Sequence, residues 1–255
     1  MARILKADLH LHTAEDRSEK INYTAYDLLR EARRREFDVI AITNHDTSTY
    51  SPQLAGFAGS LDILLIPGVE LTVQGVHVLV VGDLSRLEGV RRLEDLYRVK
   101  SERTLLVAPH PFFPASKGVG ALLYRHLDLF DALEICQCYT PWLDYNRPAV
   151  RFAREAGLPL AAFSDTHKLW QFGESYSLIM AERSLEGIVS AVRCGDIEPV
   201  TRPLGMFDAM RYGVWVLPAL ARAVFGGKRA IEPASRKFAP ANSLPNTRTS
   251  RNDLV

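Results

Sequence analysis

Residues 1–12 read Met-Ala-Arg-Ile-Leu-Lys-Ala-Asp-Leu-His-Leu-His, and the run Ile4–Leu9 ending in His10 and His12 sets the reading of the fold. A short apolar run of this kind is a candidate strand. Side chains two apart on a strand share a face, so both imidazoles can reach one ion. The pattern returns late in the chain, where Leu160–Phe163 leads into Ser164-Asp165-Thr166-His167. Between these ends lie further strand-like runs at Val39–Thr43, Ile63–Pro67, Val76–Val81, Leu105–Ala108, Ala132–Ile135 and, beyond them, Ser177–Met180. Helix-like stretches alternate with them: Ala25–Arg35 with Leu28, Leu29 and Ala32 as its stripe, then Tyr145–Glu155 before Gly157, and Leu185–Val192. Alternating strands and helices predict parallel β/α units, because parallel strands need crossovers. The expected architecture is α/β, a distorted (β/α)7 barrel in one domain, with an open doubly wound sheet as its competitor. No G-x-G-x-x-G or P-loop motif supports the nucleotide-binding forms of that sheet.

The 255 residues suffice for one domain of barrel size. Residues 1–203 read as the barrel and 204–227 as an apolar helical segment, centred on 207–225 with a kink at Pro218, packed on it. Residues 228–255 read as a disordered tail, rich in Arg, Pro, Ser and Asn. Asp208, Arg211 and Arg222 make the apolar segment a poor transmembrane span, and residues 1–12 hold no signal-peptide core. Cysteines Cys136, Cys138 and Cys194 form no C-x-x-C pair. A soluble, cytoplasmic protein with reduced thiols is expected, Cys136 and Cys138 packing on alternate faces with a C-x-C redox pair as the alternative. A net charge of +1 predicts no broad footprint for nucleic acid, so no stable duplex binding is expected.

Of seven histidines, six occur with acidic residues at or near the ends of these runs. His45 follows Ile42-Thr-Asn, Glu70 follows Pro67-Gly-Val, His77 begins the next run, and His110 stands in Ala108-Pro-His-Pro. In a β/α barrel the C-terminal strand ends converge on one face, where active sites are built. Imidazoles with carboxylates and no thiolate suit zinc, manganese or iron. So many ligands exceed one ion's needs and point to two or three divalent ions. His126, inside a helical stretch beside Asp128, reads as a structural residue, and Asp8 as a hydrogen-bonding support for an imidazole.

The motifs DLHLHT, TNHD, PGVE with VHVLVVG, PHP and SDTH together resemble the polymerase-and-histidinol-phosphatase (PHP) family of metal-dependent phosphoesterases, from Ala7 to about Ala181. The resemblance implies a distorted seven-stranded barrel with a di- or trinuclear site. It assigns His10, His12, Glu70 and Asp165 to one ion, with Glu70 bridging to a second held by His77 and His110. It assigns His45 and His167 to a third, with an acidic or histidine residue shortly after the first motif. Arg17 and Ser18 occupy the usual place of that acid, and Asp16 is taken in its stead over Glu15. Asn44 replaces the usual aspartate of TDHD, which predicts weaker hydrogen bonding to His45.

The expected reaction is hydrolysis of a phosphoester, in a phosphomonoester, nucleotide or short single-stranded oligonucleotide, by a hydroxide shared between metal ions. Asp165 and His167 are the expected catalytic side chains, His167 or a water protonating the leaving oxygen. Arg17, Lys20, Arg147 and Lys168 are candidate phosphate clamps by position, though each also reads as a solvated surface charge. Two rivals stand beside this reading. An amidohydrolase would use similar H-x-H positions but typically a lysine at a strand end, and here Glu70 fills the bridging place. A degenerate regulatory module would have lost ligands.

Overall fold

The computed structural model describes residues 1–114 and 116–213. The expected tail at 228–255 and the second half of the 207–225 helix, including Pro218, lie outside the described residues. Among the described residues nine strands form one sheet: β1 Arg3–Asp8, β2 Val39–Ile42, β3 Leu64–Val73, β4 Val76–Gly82, β5 Thr104–Ala108, β6 Ala132–Ile135, β7 Leu160–Ala162, β8 Tyr176–Ala181 and β9 Ile197–Val200. Their order is β7-β6-β5-β4-β3-β2-β1-β8-β9. The sheet curls until β7 meets β8 and the edge strand β9. There the Ser177 hydroxyl accepts the Ala162 amide at 3.0 Å and donates to the Ala162 carbonyl at 2.9 Å. A side chain thus closes the barrel where no backbone ladder does.

The α/β barrel agrees with the sequence reading, but its pairing is less regular than repeated β/α units. Strands β1-β2-β3 and β5-β6-β7 are parallel, whereas β3-β4, β4-β5, β1-β8 and β8-β9 are antiparallel. The cause at β3-β4 is local. Gln74 and Gly75 take φ of 50° and 80°, the geometry of a two-residue hairpin turn, which leaves no room for a crossover helix. Glu70 consequently lies inside β3 rather than after a strand. It pairs with Leu79 on one side and bridges His45 on the other.

Alternation along each strand divides the apolar residues. Leu5, Ala7 and Leu9 with Val39 and Ala41 fill the barrel interior, while Ile40 and Ile42 pack outward under the helices. Helix α1, Ala25–Arg34, starts at a capping box between Thr24 and Asp27 and buries Leu28, Leu29 and Ala32. Helix α2, Pro52–Ser60, starts with Ser51 as cap and Pro at its first turn. Helix α3, Arg147–Ala156, ends at Gly157, whose φ of 66° is the left-handed stop expected of glycine. Helix α4, Leu185–Cys194, inserts Ile188, Val189 and Val192 into the interior cluster. Arg193 on α4 reaches Asp131 and the Thr104 carbonyl, both at the N-terminal ends of parallel strands, so α4 closes the end opposite the histidines. No helix among the described residues is long and apolar enough to cross a membrane.

Candidate metal centre

Beyond β1 the chain changes face and is held by an isolated bridge between Leu11 and Thr166. The Thr43 amide donates to the Leu11 carbonyl at 2.8 Å, and the His12 amide to the Thr166 carbonyl at 3.3 Å. Leu11 turns outward into the α1–α2 core, so His10 and His12 both face the barrel mouth. Both are completely buried. His10 Nδ1 lies 2.9 Å from Glu134 Oε1, and His12 Nδ1 lies 3.1 Å from Asp16 Oδ2. A carboxylate can only accept there, so in its neutral form each ring carries its proton on Nδ1 and turns an Nε2 lone pair inward. Neither Nε2 has a hydrogen-bond partner.

Those two orphaned nitrogens face the same two oxygens. Glu70 Oε2 lies 3.5 Å from His10 Nε2 and 3.3 Å from His12 Nε2, and Asp165 Oδ1 lies 3.3 Å from each. Donor atoms about 2.1 Å from a common ion are themselves roughly 3.0–3.4 Å apart, so this foursome fits a divalent cation. Glu70 turns its other oxygen, Oε1, to His77 Nδ1 at 2.7 Å and His110 Nε2 at 3.3 Å. A bridging carboxylate between two ions has this form. His45 and His167 stack against His12 with centroids 4.4 Å away in each case. Four overlapping groups, His10-His12-Glu70, His10-His110-Asp165, His45-Glu70-His77 and His12-His45-His167, bring their ligand atoms within 4.8 Å of one another. Imidazole and carboxylate donors of this kind suit divalent metal ions.

The charges interlock accordingly. Burial opposes a proton on His10 and His12, yet the carboxylates around them outweigh it and raise both well above the ordinary histidine range. His45 is raised to about 9 in the same way, against its burial, by Asp16 and Glu70. Burial of Glu70 is overcome by His77 and His10, which hold it well below the usual carboxylate range. His77 and His167 go the other way, lowered first by burial. A cation entering this cluster displaces protons from the imidazoles, which couples its binding to pH. His110 and Asp165 also take left-handed backbone, with φ of 30° and 45°, a conformation uncommon outside glycine that accompanies site residues.

Asp16 is placed behind the imidazoles. Its Oδ2 accepts from the His45 amide at 2.9 Å and also lies 2.8 Å from His45 Nδ1. Glu19, which the sequence reading passed over, faces His167 with Oε2 3.3 Å from Nε2, beside Asp165 Oδ1 at 3.4 Å from Nδ1. Asp8 supports backbone rather than an imidazole, accepting the amides of His10 and Ser164. The hydrogen bonds of the Asn44 side chain go to Thr13 and Thr49 rather than to the His45 ring. Asn44 accepts the Thr13 amide at 2.8 Å and donates to Thr13 Oγ1 and Thr49 Oγ1, bonds that an ionised aspartate could not donate. Arg17 and Lys20 are exposed on the loop after His12. Arg147 is exposed at the start of α3, 3.7 Å from Asp144. Lys168 is half-buried next to His167 and begins the turn closed by Gln171. Glu134 is the other residue the sequence reading missed. Its signal was a carboxylate inside the apolar run Ala132–Ile135, a place where a lone charge is costly without a partner.

The PHP-associated family model (PHP_C) matches residues 144–197, the stretch that carries α3, β7, Asp165, His167, β8 and α4. An uncharacterized protein of Methanocaldococcus jannaschii is 26% identical over 144 residues, covering 53% of this chain and 83% of that one. Among solved structures, a two-domain protein of Bacteroides vulgatus described as containing a predicted PHP-like metal-dependent phosphoesterase superposes with a TM-score of 0.62. It is 21% identical, over 84% of this chain and 70% of that chain. PsfC of Pseudomonas syringae gives 0.60 at 18% identity, over 85% and 99%. The lesion-specific endonuclease EndoQ of Pyrococcus furiosus gives 0.55 at 14% identity, over 92% and 74%. The motifs from DLHLHT to SDTH, the matched family model and the shared barrel together show the resemblance of this chain to the PHP family.

Proposed function

We propose that this chain is a metal-dependent hydrolase of phosphoester bonds. The observation that carries the reading is the pair of buried, partnerless Nε2 atoms of His10 and His12, set against Glu70 Oε2 and Asp165 Oδ1. His10, His12, Glu70 and Asp165 would hold one ion, His77 and His110 with Glu70 a second, and His45 and His167 a third. Glu19 or Asp16 would supply the acid near the third. Zinc, manganese and iron all suit these donors. When bound, such ions polarise phosphoryl oxygens and lower the pKa of water.

The chain's own residues have distinct tasks. Glu134 and Asp16 fix the tautomers of three imidazoles, and Asp165 neutralises cationic charge at the mouth. His167 Nδ1 is engaged by the Asp165 carbonyl, so its part-exposed ring would protonate a leaving oxygen only while its Nε2 holds no ion, and a water would do so otherwise. Arg17, Lys20 and Lys168 on the loops beside it are the proposed phosphate contacts, with Arg147 farther out. The substrate is a phosphomonoester, a nucleotide or the end of a short single strand. Likeness of fold to a metal-dependent phosphoesterase and to an endonuclease supports the same class. Three unpaired cysteines fit a reducing cytoplasm.

The test is hydrolysis of p-nitrophenyl phosphate beside a panel of amides, with manganese and with zinc. Phosphate ester cleavage that chelation abolishes and metal restores is the expected result. Amide cleavage alone would overturn the phosphoester reading.

A further inference from the structure

A cavity of about 470 Å³ opens beside the metal centre, between the turn after His167 and the segment that follows β9. Trp170, Glu174 and Gln137 line one side, and Arg202, Asp208, Arg211 and Tyr212 the other. Gln137 joins it to the centre, because its Nε2 donates to the carbonyl of Ser164, the residue before Asp165. Its volume falls within the range of small-ligand sites, roughly 300–1,000 Å³.

Two buried polar atoms here, Gln137 Oε1 and the Tyr212 hydroxyl, make no well-formed hydrogen bond, although the two side chains lie within reach of each other. Gln137 is 4% exposed and Tyr212 is 5% exposed, so bulk water does not satisfy them. Leaving such groups without a partner is costly, and a ligand that bonds them recovers that cost. Gln137 gives one of its two amide N–H groups to Ser164, which fixes the amide and leaves its Oε1 free to accept. Burial, reinforced by the neighbouring Cys138 and partly offset by the Gln137 side chain, raises the Tyr212 pKa, so the hydroxyl stays protonated and can donate. A matching ligand edge presents a donor beside an acceptor. The Arg211 guanidinium carbon lies 3.9 Å above the Trp170 ring, and the Tyr212 ring meets Trp170 edge-on at 5.0 Å. Indole and guanidinium planes are the surfaces on which unstacked bases pack. The two guanidiniums are balanced by Glu174, which pairs with Arg202, and by Asp208. Such a lining suits an uncharged group rather than a second phosphate.

The geometry points to this cavity as a nucleoside pocket, taking the base of a mononucleotide or of a strand's last nucleotide while its phosphate lies at the histidine cluster. The assignment deepens the phosphoesterase reading and rests on it for the position of the phosphate. The donor–acceptor pair and the Trp170–Arg211 platform stand without it.

The experiment is calorimetric titration of the full chain, loaded with manganese, with adenosine, uridine and free ribose, in parallel with p-nitrophenyl phosphate hydrolysis. Nucleosides should bind, and ribose should bind at least about tenfold more weakly. Trp170→Ala should weaken nucleoside binding by about tenfold or more. Tyr212→Phe, which keeps the ring and its packing, should weaken it severalfold through loss of one hydrogen bond. Nucleosides that fail to bind, or that bind no better than ribose, or that bind both variants as they bind the parent, would overturn the pocket. Nucleoside binding lost in both variants, in a protein that cleaves no phosphoester, would uphold the pocket and sink the catalytic reading instead.

Discussion

Glu134 and His10 are joined at 2.9 Å through Oε1 and Nδ1, while the second oxygen of Glu134 accepts the His110 amide at 3.0 Å. One buried carboxylate from β6 therefore aims two candidate ligands from different strands. Glu134→Ala should lower affinity for divalent metal by about 10- to 100-fold, the cost typical of losing such a support. Glu134→Gln, which can still accept from Nδ1, should lose less. Competition against a fluorescent chelator measures both. Unchanged affinity in Glu134→Ala would show that His10 needs no such support.

Asp16 makes the same kind of link on the other side, between His12 and His45. Asp16→Asn cannot accept from three N–H groups as well as a carboxylate does. Its metal affinity should fall while its circular dichroism stays that of the parent. If Glu19→Gln alone weakens occupancy and Asp16→Asn does not, Asp16 is a bystander.

These two supports mark where the sequence stopped being legible. The strand runs, both H-x-H-type pairs and the barrel were readable because apolar periodicity and strand-end placement are local properties. The hairpin at Gln74–Gly75 was also written locally, but the expectation of β/α crossovers overrode it. Glu134 meets His10 across 124 positions and Glu19 meets His167 across most of the barrel, and no spacing rule reaches that far. Asn44 looked like a weakened aspartate. Only the positions of Thr13 and Thr49 show that its amide hydrogens are needed.

Ser177 closes the barrel through its two bonds to Ala162, and it is fully buried. Ser177→Ala leaves an amide and a carbonyl of β7 unpaired. Stability should fall by about 1–3 kcal/mol, read from the midpoint of urea unfolding. Ser177→Thr, which keeps the hydroxyl, separates loss of the bond from loss of packing. Equal stability of Ser177→Ala and the parent would mean that β7 and β8 are held by packing alone.

Glu31 on α1 is held down to about 2 by hydrogen bonds from Arg34 and, against some burial, from Arg35. Its folded pKa lies below the unfolded carboxylate value of about 4.3, so its contribution is complete above that pH and is lost as pH falls toward 2. Glu31→Gln should therefore show a shallower fall in Tm between roughly pH 5 and 2 than the parent. Parallel Tm profiles would place this carboxylate's titration outside the folding equilibrium.

The central claim is that the histidine and carboxylate cluster holds divalent ions, and elemental analysis of the purified full chain tests it most directly. About two ions or more per folded chain are predicted, falling in Asp165→Ala and in His10→Ala without loss of the folded signal. Fewer than about one ion per chain, or the same content in both variants as in the parent, would contradict the account.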